Sequence, residues 1–204
     1  MMKTSPTCKP CFQTLFLIAV LIAVVGFNQF SQGQTVIYSE TFESYTTTNS
    51  LNSTGTNQWL QLLIGDNNNP WGIGGSSEAI SGSRSLTIYH NNGTAYTYRN
   101  NKATERIAYF SSKIDASQFY NLKLSFKWKC GGEVNYDYGR VVWSTDGSNW
   151  NDISTTNYNS QPTNQTVSDL NISQVDLQQF YLGFRWINDN NLGANPGFVI
   201  DDIV

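Results

Sequence analysis

Alternation of apolar and polar residues is the dominant pattern along this chain, and it predicts short β-strands. In Leu122–Cys130, leucine, phenylalanine, tryptophan and cysteine alternate with lysine and serine, and Phe180–Ile187 repeats the alternation. Because successive side chains of a strand point to opposite faces, each run would bury one face and expose the other. The pattern predicts further strands at Thr35–Phe42, Gln58–Ile64, Ser85–His90, Tyr96–Tyr98, Glu105–Phe110, Gly139–Thr145, Trp150–Ile153, Thr166–Leu170 and Gly197–Val204.

Segments rich in glycine, asparagine and serine separate these runs. Residues 44–57 and 66–77 are predicted loops, and Asp146-Gly147 is a pair typical of a β-hairpin turn. A succession of about ten short strands with polar turns and no long helical pattern predicts an all-β fold. We expect a two-sheet antiparallel β-sandwich.

The N-terminus has the pattern of a secretory signal peptide. Lys3 and Lys9 precede the apolar run Leu15–Phe27, which is too short to span a bilayer comfortably, and small residues follow it. We predict a signal peptide over residues 1–33 and a single domain over residues 34–204. An uncleaved N-terminal anchor is the alternative.

The charge of the predicted domain argues against some partners. Charged residues are 13% of the chain and aromatic residues 14%, and without Lys3 and Lys9 the net charge falls from −3 to −5. An acidic domain is a poor match for nucleic acid or an anionic membrane surface. We therefore predict a protein that does not bind nucleic acid. Together with the predicted signal peptide, the composition indicates a secreted or cell-surface protein with no membrane span after removal of the leader.

Cysteine usage suggests no disulfide in the predicted domain. Cys8 and Cys11 form a C-x-x-C pattern, but both lie in the leader. Cys130 follows the apolar positions of Leu122–Cys130, so a buried, unreactive thiol is predicted.

The final predicted strand carries two adjacent carboxylates. Asp201 and Asp202 follow Phe198–Ile200, and strict alternation would place Asp202 on the face that carries Phe198 and Ile200. A buried carboxylate is costly unless it is paired, hydrogen-bonded or bound to a metal. We therefore expect a partner for this strand end.

The order of several short motifs resembles a known family. It resembles the jelly-roll modules called cleaved adhesin or choice-of-anchor J domains, relatives of the MAM domains of secreted and cell-surface proteins, many from Bacteroidetes bacteria. The motifs are Phe42-Glu43, Phe110–Ser117, Leu122–Trp128, Asp137, Val141–Trp150, Phe180–Trp186 and Gly197–Val204.

The resemblance implies a jelly-roll sandwich without catalytic activity, which often holds calcium where the first and last strands meet. Glu43, Asp202 and Asp201 would be its ligands, and calcium prefers such oxygen donors. In the alternative, Asp202 caps backbone N–H groups or pairs with a base such as Arg84. The chain ends directly after its last motif, from which we expect a domain truncated at its C-terminal end.

Exposed aromatic residues are the sequence's candidates for a carbohydrate site, since sugars pack on aromatic faces flanked by polar groups. Trp128, Trp143 and Trp186 lie on apolar strand faces, so a place in the core is predicted for them. The candidates for exposed ligand contacts are Trp71, in a polar loop, and then Tyr96, Tyr98, Tyr136 and Tyr138.

The sequence offers little for catalysis. His90 is the sole histidine, and Asp201 and Asp202 would point to opposite faces of a strand. We expect a secreted, non-catalytic binding or adhesion module, stabilised by calcium, with an extracellular glycan or a cell-surface protein as partner. The alternatives are a structural accessory domain of a larger secreted hydrolase and a glycoside hydrolase.

Overall fold

The computed structural model describes residues 33–46, 48, 50–51, 56–65, 67–89 and 97–204. Within them, Thr35–Val204 form one compact unit, and nearly all of its regular secondary structure is β-strand. Cys8, Cys11, Tyr96, His90 and all but the last residue of the predicted signal peptide lie outside the described residues. In the part of the chain that the structure describes, no helix has the length and hydrophobicity needed to cross a membrane.

Eleven strands and one short 3-10 helix, Ser173–Val175, make up the described fold. In chain order the strands are β1 (Trp59–Ile64), β2 (Trp71–Gly74), β3 (Ser85–Ile88), β4 (Thr104–Phe110), β5 (Ile114–Asp115), β6 (Lys123–Cys130), β7 (Tyr138–Ser144), β8 (Asn151–Asp152), β9 (Gln161–Asn171), β10 (Gln179–Asn188) and β11 (Val199–Asp201).

The strands form two antiparallel sheets, as predicted. The first sheet has the order β1-β4-β10-β7-β8, and β5 pairs with the start of β10. The second sheet has the order β2-β3-β11-β6-β9. Strands distant in sequence are neighbours in both sheets, as in a β-sandwich of jelly-roll type.

The core lies between the inner faces of the two sheets. Phe126 of β6 meets Phe184 of β10 with ring centroids 5.4 Å apart, and Phe184 meets Phe198 at 6.3 Å. Cys130, at the end of the same face of β6, is fully buried, and burial raises the pKa of its thiol well above the ordinary value. The predicted core strands and the buried thiol are thus confirmed.

The first predicted strand is wrong. Thr35–Phe42 contributes a single bridge, between Glu40 and Ile203, rather than a strand. The Glu40 carboxylate accepts a hydrogen bond from the backbone N–H of Phe42, and Phe42 has a φ of 60°. A left-handed residue ends an extended segment, so the chain turns away from the sheet at this point.

The predicted loop over residues 66–77 contains a strand, β2. Trp71 and Ile73 of this strand are fully buried, and Trp71 packs edge-on against Phe198 with centroids 6.1 Å apart. The glycines that suggested a loop leave room for close packing: a side-chain carbon at Gly74 would lie 2.8 Å from Ser85 Oγ. Burial of the two large side chains outweighs the turn-forming composition around them.

Alternation fails at the end of β11. Asp202 has a φ of 47°, which turns its side chain out of the strand's regular pattern. As a result, Asp201 is fully buried and Asp202 is partly exposed. The prediction that Asp202 shares the buried face of Phe198 and Ile200 is therefore wrong.

Candidate functional site

The turn at residues 80–84 gathers carboxylates from both ends of the domain. Glu43 Oε1 accepts backbone N–H bonds from Ser83 and Arg84, both at 2.8 Å, and Oε2 accepts the Ser83 hydroxyl at 2.8 Å. Desolvation opposes ionisation of Glu43, but these hydrogen bonds outweigh it and hold its pKa below the ordinary value. Glu43 therefore serves as a cap for this turn.

Asp201 caps the start of the same turn. Its Oδ2 accepts the backbone N–H groups of Ile80 and Ser81 at 3.0 and 2.9 Å, and its Oδ1 accepts that of Asp202 at 2.8 Å. Burial nevertheless raises the pKa of Asp201 to about 6, because the loss of hydration exceeds what these N–H groups restore.

Asp202 has a cation as partner. Lys127 Nζ lies 2.7 Å from Asp202 Oδ2, and the Ser81 hydroxyl donates to the same oxygen at 2.6 Å. Desolvation would raise the pKa of Asp202, yet Lys127 and Ser81 together hold it below the ordinary value.

The environment of these oxygens is one of hydrogen-bond donors. A calcium ion needs lone pairs directed at it, whereas Glu43 and Asp201 face N–H groups and Asp202 faces an ammonium group. Among the described residues, no three or more histidine, cysteine, aspartate or glutamate side chains are grouped as a metal site. The alternative, in which these carboxylates cap backbone N–H groups or pair with a base, accounts for the contacts. The base that pairs with Asp202 is Lys127 rather than Arg84. Calcium stays a prediction.

Two aromatic candidates from the sequence are buried, which contradicts their predicted exposure. Trp71 is fully buried, because β2 carries it into the core, and its Nε1 donates to the carbonyl of Arg106 at 3.4 Å. Tyr98 is 5% exposed; its hydroxyl donates to Asp137 Oδ2, and its ring packs against Trp186 at 5.0 Å. Neither ring has a face free for a sugar.

The other two described candidates are accessible. Tyr136 lies in the turn between β6 and β7 and is 55% exposed. Tyr138 is partly exposed on β7, and the guanidinium carbon of Arg140 lies 5.2 Å from its ring centroid. Pairing of Tyr138 with Ile187 places it on the outer face of the first sheet.

Three aromatic residues that the sequence pattern does not single out meet on that outer face. We call Tyr109, Trp150 and Tyr181 the outer aromatic cluster. The Tyr109 ring lies 5.2 Å from that of Trp150 and 6.0 Å from that of Tyr181, and all three side chains are partly exposed. Partly exposed aromatic rings are suited to stacking against a flat ligand.

The loop between β7 and β8 positions Trp150. Asp146 Oδ1 accepts the backbone N–H groups of Ser148 and Asn149 at 2.8 and 2.7 Å, and these bonds hold the pKa of Asp146 far below its usual range. Trp150 Nε1 donates to the carbonyl of Gly147 at 3.2 Å. The loop is thus fixed by its own hydrogen bonds before any ligand arrives.

Charged side chains occupy the outer face beside the cluster. We call Glu105, Arg140, Asp152 and Arg185 the charged quartet. Asp152 accepts hydrogen bonds from both arginines. Its Oδ1 lies 3.0 Å from Arg185 Nη1, and its Oδ2 accepts from Arg140 Nη1. Arg185 Nε also lies 3.4 Å from Glu105 Oε1. The quartet is a network rather than four independent charges.

The sequence contains a partial signal for this face. Tyr181 lies between Phe180 and Leu182, so alternation already predicts that it points outward. The register of β10 with β4, which brings Tyr109 opposite Gly183, is a tertiary fact that no local pattern shows.

The carboxylates whose pKa is raised most clearly are inaccessible. Burial raises the pKa of Asp137 to about 6, like that of Asp201, and both residues are fully buried. A general acid must reach the proton acceptor of its substrate, which neither carboxylate can do in this structure.

Among the comparisons with known proteins, only the search of solved structures finds similar proteins. No protein-family model and no curated protein matches the chain. One similar structure is a carbohydrate-binding module, TmCBM61, in complex with β-1,4-galactotriose: the TM-score is 0.40 and the identity 10%, over 71% of this chain and 85% of that one.

Two further similar structures are a xylan-binding domain and a cyclase. One is the CBM22-1 xylan-binding domain of Paenibacillus barcinonensis Xyn10C, with a TM-score of 0.40 and 13% identity over 83% of this chain and 92% of that one. The other is a cyclase from Fischerella sp. TAU in complex with 4-(1H-indol-3-yl)butan-2-one, with a TM-score of 0.37 and 13% identity over 85% and 91%. The fold assignment therefore rests on the chain's own two sheets.

Proposed function

We propose that this protein is a non-catalytic module that binds extracellular carbohydrate on the outer face of its first sheet. The outer aromatic cluster is the observation that carries the proposal. Its rings are partly exposed, adjacent, and held by strands β4 and β10 and by an internally bonded loop. Aromatic faces with polar groups at their edge are the usual means of packing against sugar rings.

A binding role agrees with the chemistry of the site. The polar groups beside the cluster are guanidinium groups and carboxylates already paired with one another. They offer hydrogen-bond donors and acceptors to the hydroxyl groups of a sugar, while their charges are already engaged with one another. We therefore propose recognition rather than hydrolysis.

The remaining parts of the proposal concern where and how the module works. Secretion follows from the predicted signal peptide at residues 1–33, and adhesion to a cell surface is one use of a secreted glycan binder. Calcium at Glu43, Asp201 and Asp202 would tie the two chain ends together. A structural accessory domain of a larger secreted hydrolase is the competing role.

Native affinity electrophoresis on soluble polysaccharides tests the proposal. Separate gels contain xylan, galactan, β-glucan, mannan, alginate or polygalacturonate, and we expect at least one of them to retard the protein. Trp150→Ala should clearly reduce that retardation. Tyr120→Ala is the matched control, because Tyr120 is 70% exposed and does not belong to the cluster. A folded protein that no polysaccharide retards would overturn the proposal and favour the accessory-domain role.

A further inference from the structure

Strand pairing arranges the outer face of the first sheet in successive rows across β10 and β7. Tyr181 lies opposite Ser144, Arg185 opposite Arg140, and Ile187 opposite Tyr138. Side chains on one face of a strand repeat about every 6.6 Å, so Tyr181 and Ile187 are separated by about 20 Å along β10.

Each of the four successive rows along these strands has different side chains. The first row carries Tyr181, and the second is covered by Trp150, which lies against Gly183: a side-chain carbon at residue 183 would come within 2.9 Å of Trp150 Cζ3. The third row holds the two arginines of the charged quartet, and the fourth holds Tyr138. Accessible aromatic rings thus lie at both ends of a stripe with a polar centre.

The centre of this stripe is electrically balanced. The charged quartet has two guanidinium groups and two carboxylates, and each oxygen of Asp152 already accepts from one arginine. A balanced, internally paired network has no unpaired positive charge with which to hold an anionic ligand, but its outer N–H groups and oxygens can bond neutral hydroxyls. Lys113, with its Nζ 5.6 Å from the Tyr181 ring centroid, adds a positive charge at one end only.

We infer that this stripe binds an extended, neutral polysaccharide chain that runs along β7 and β10. One part of the chain stacks on Trp150 and Tyr181, hydroxyl groups of the middle units bond the charged quartet, and a further unit packs on Tyr138. The inference rests on the proposed carbohydrate-binding function, and it adds the ligand's charge, its extent and its direction on the sheet.

Calorimetric titration with neutral oligosaccharides of increasing length tests the extent of the site. The ligands are β-1,4-linked oligosaccharides of xylose, glucose, mannose and galactose. For the series that binds best, we expect the association constant to rise with length until the ligand spans about 20 Å, and then to level off. Trp150→Ala and Tyr138→Ala should each weaken binding of the longest ligand about tenfold. The Trp150 variant should lose disaccharide binding, whereas the Tyr138 variant should keep it.

Results that contradict the extended site differ from results that contradict carbohydrate binding itself. Tyr120→Ala should bind like the unchanged protein, and circular dichroism establishes that each variant is folded. Binding that is independent of length, or unaffected by Tyr138→Ala, would overturn the extended site while leaving carbohydrate binding in place. The absence of binding to any glycan overturns both.

Replacement of one carboxylate tests the charge argument separately. Asp152→Asn leaves the two arginines without their shared anion, so we expect this variant to gain salt-sensitive retardation by polygalacturonate that the unchanged protein lacks. If the unchanged protein already prefers polygalacturonate or alginate to every neutral glycan, with binding lost in salt, the inference of a neutral ligand is wrong.

Discussion

Glu43 and Ser83 are joined by two hydrogen bonds across 40 residues of sequence, one from the backbone N–H and one from the hydroxyl, each 2.8 Å long. This contact fixes the segment after Glu40 to the turn that precedes β3. A side-chain carbon at Gly82 would lie 2.4 Å from Glu43 Oε1, so the carboxylate sits directly against the turn.

Replacement of Glu43 by glutamine should destabilise the protein. Glutamine can keep one oxygen as the acceptor for both backbone N–H groups, with its amide nitrogen facing the Ser83 hydroxyl, but the negative charge that strengthens these hydrogen bonds is lost. Because Glu43 is exposed to solvent, we expect a loss of about 1 kcal/mol or less, measured by urea unfolding at pH 7. An increase in stability would show that the carboxylate is not an effective cap.

Replacement of Glu40 by glutamine should have the opposite effect. Glu40 is 5% exposed, burial raises its pKa, and its Oε2 has no hydrogen-bond partner. Glutamine removes the buried charge and keeps an acceptor for the N–H of Phe42.

We expect Glu40→Gln to raise the unfolding free energy by about 1 kcal/mol at pH 8. Glu43→Gln, three residues along the same segment, is the matched control, with the expected loss of stability. A clear loss on Glu40→Gln would mean that the hydrogen bonds which lower the pKa of this carboxylate, from Phe42 and Asn57, outweigh the cost of its buried charge.

Much of the fold follows from local pattern. The alternation of Leu124, Phe126 and Trp128 with lysine and serine decides which face of β6 is buried, and hydrophobic burial then dictates the sandwich. The pattern misleads where tertiary contacts override it, as at Trp71, whose glycine-rich surroundings are those of a loop. It also misleads at Asp202, whose positive φ ends the alternation.

The candidate site was less predictable than the fold. The motifs of the sequence single out Glu43, Asp201 and Asp202, and the structure places all three around the turn at residues 80–84. The outer aromatic cluster combines residues from β4, β10 and a loop, and their proximity depends on strand register. Because a register shift of one residue exchanges the faces of a strand, composition alone cannot identify such a cluster.

Calcium dependence is decided by a thermal melt. An ion that binds the folded state alone raises stability by mass action, so calcium at Glu43 and Asp202 predicts a melting temperature several degrees lower in excess EDTA. The double variant Glu43→Ala with Asp202→Ala should then show no difference between calcium and EDTA. Superimposable melts of the unchanged protein would mean that the N–H groups and Lys127 suffice for these carboxylates.

Stability should be greatest in mildly acidic solution. Burial raises the pKa of Asp137 and of Asp201 to about 6, above the value of about 3.9 for an unfolded chain. A raised pKa means that the folded state binds the proton more tightly. The resulting stabilisation of the folded state is fully present below about pH 4 and is lost as the pH rises through 6. Each group then lowers the unfolding free energy by about 1 to 3 kcal/mol.

Carboxylates with lowered pKa set the acidic limit. Hydrogen bonds hold the pKa of Asp146 down, and those of Glu43 and Asp202 are also below the ordinary values. Their contribution is present above about pH 4.5 and is lost as the pH falls, so we expect the highest melting temperature between about pH 4.5 and 6.

A series of melts from pH 3.5 to 8.5, in EDTA to keep metal away from Asp201, measures this profile. The melting temperature should fall between pH 5.5 and 7.5, and Asp137→Asn and Asp201→Asn should each reduce that slope, whatever their effect on absolute stability. Asp115→Asn is the control, because hydrogen bonds from Ser117 hold the pKa of the exposed Asp115 carboxylate below the ordinary value. A melting temperature that rises from pH 5.5 to 7.5 would show that both buried carboxylates are ionised without cost, as a bound cation or a firmer set of N–H donors would allow.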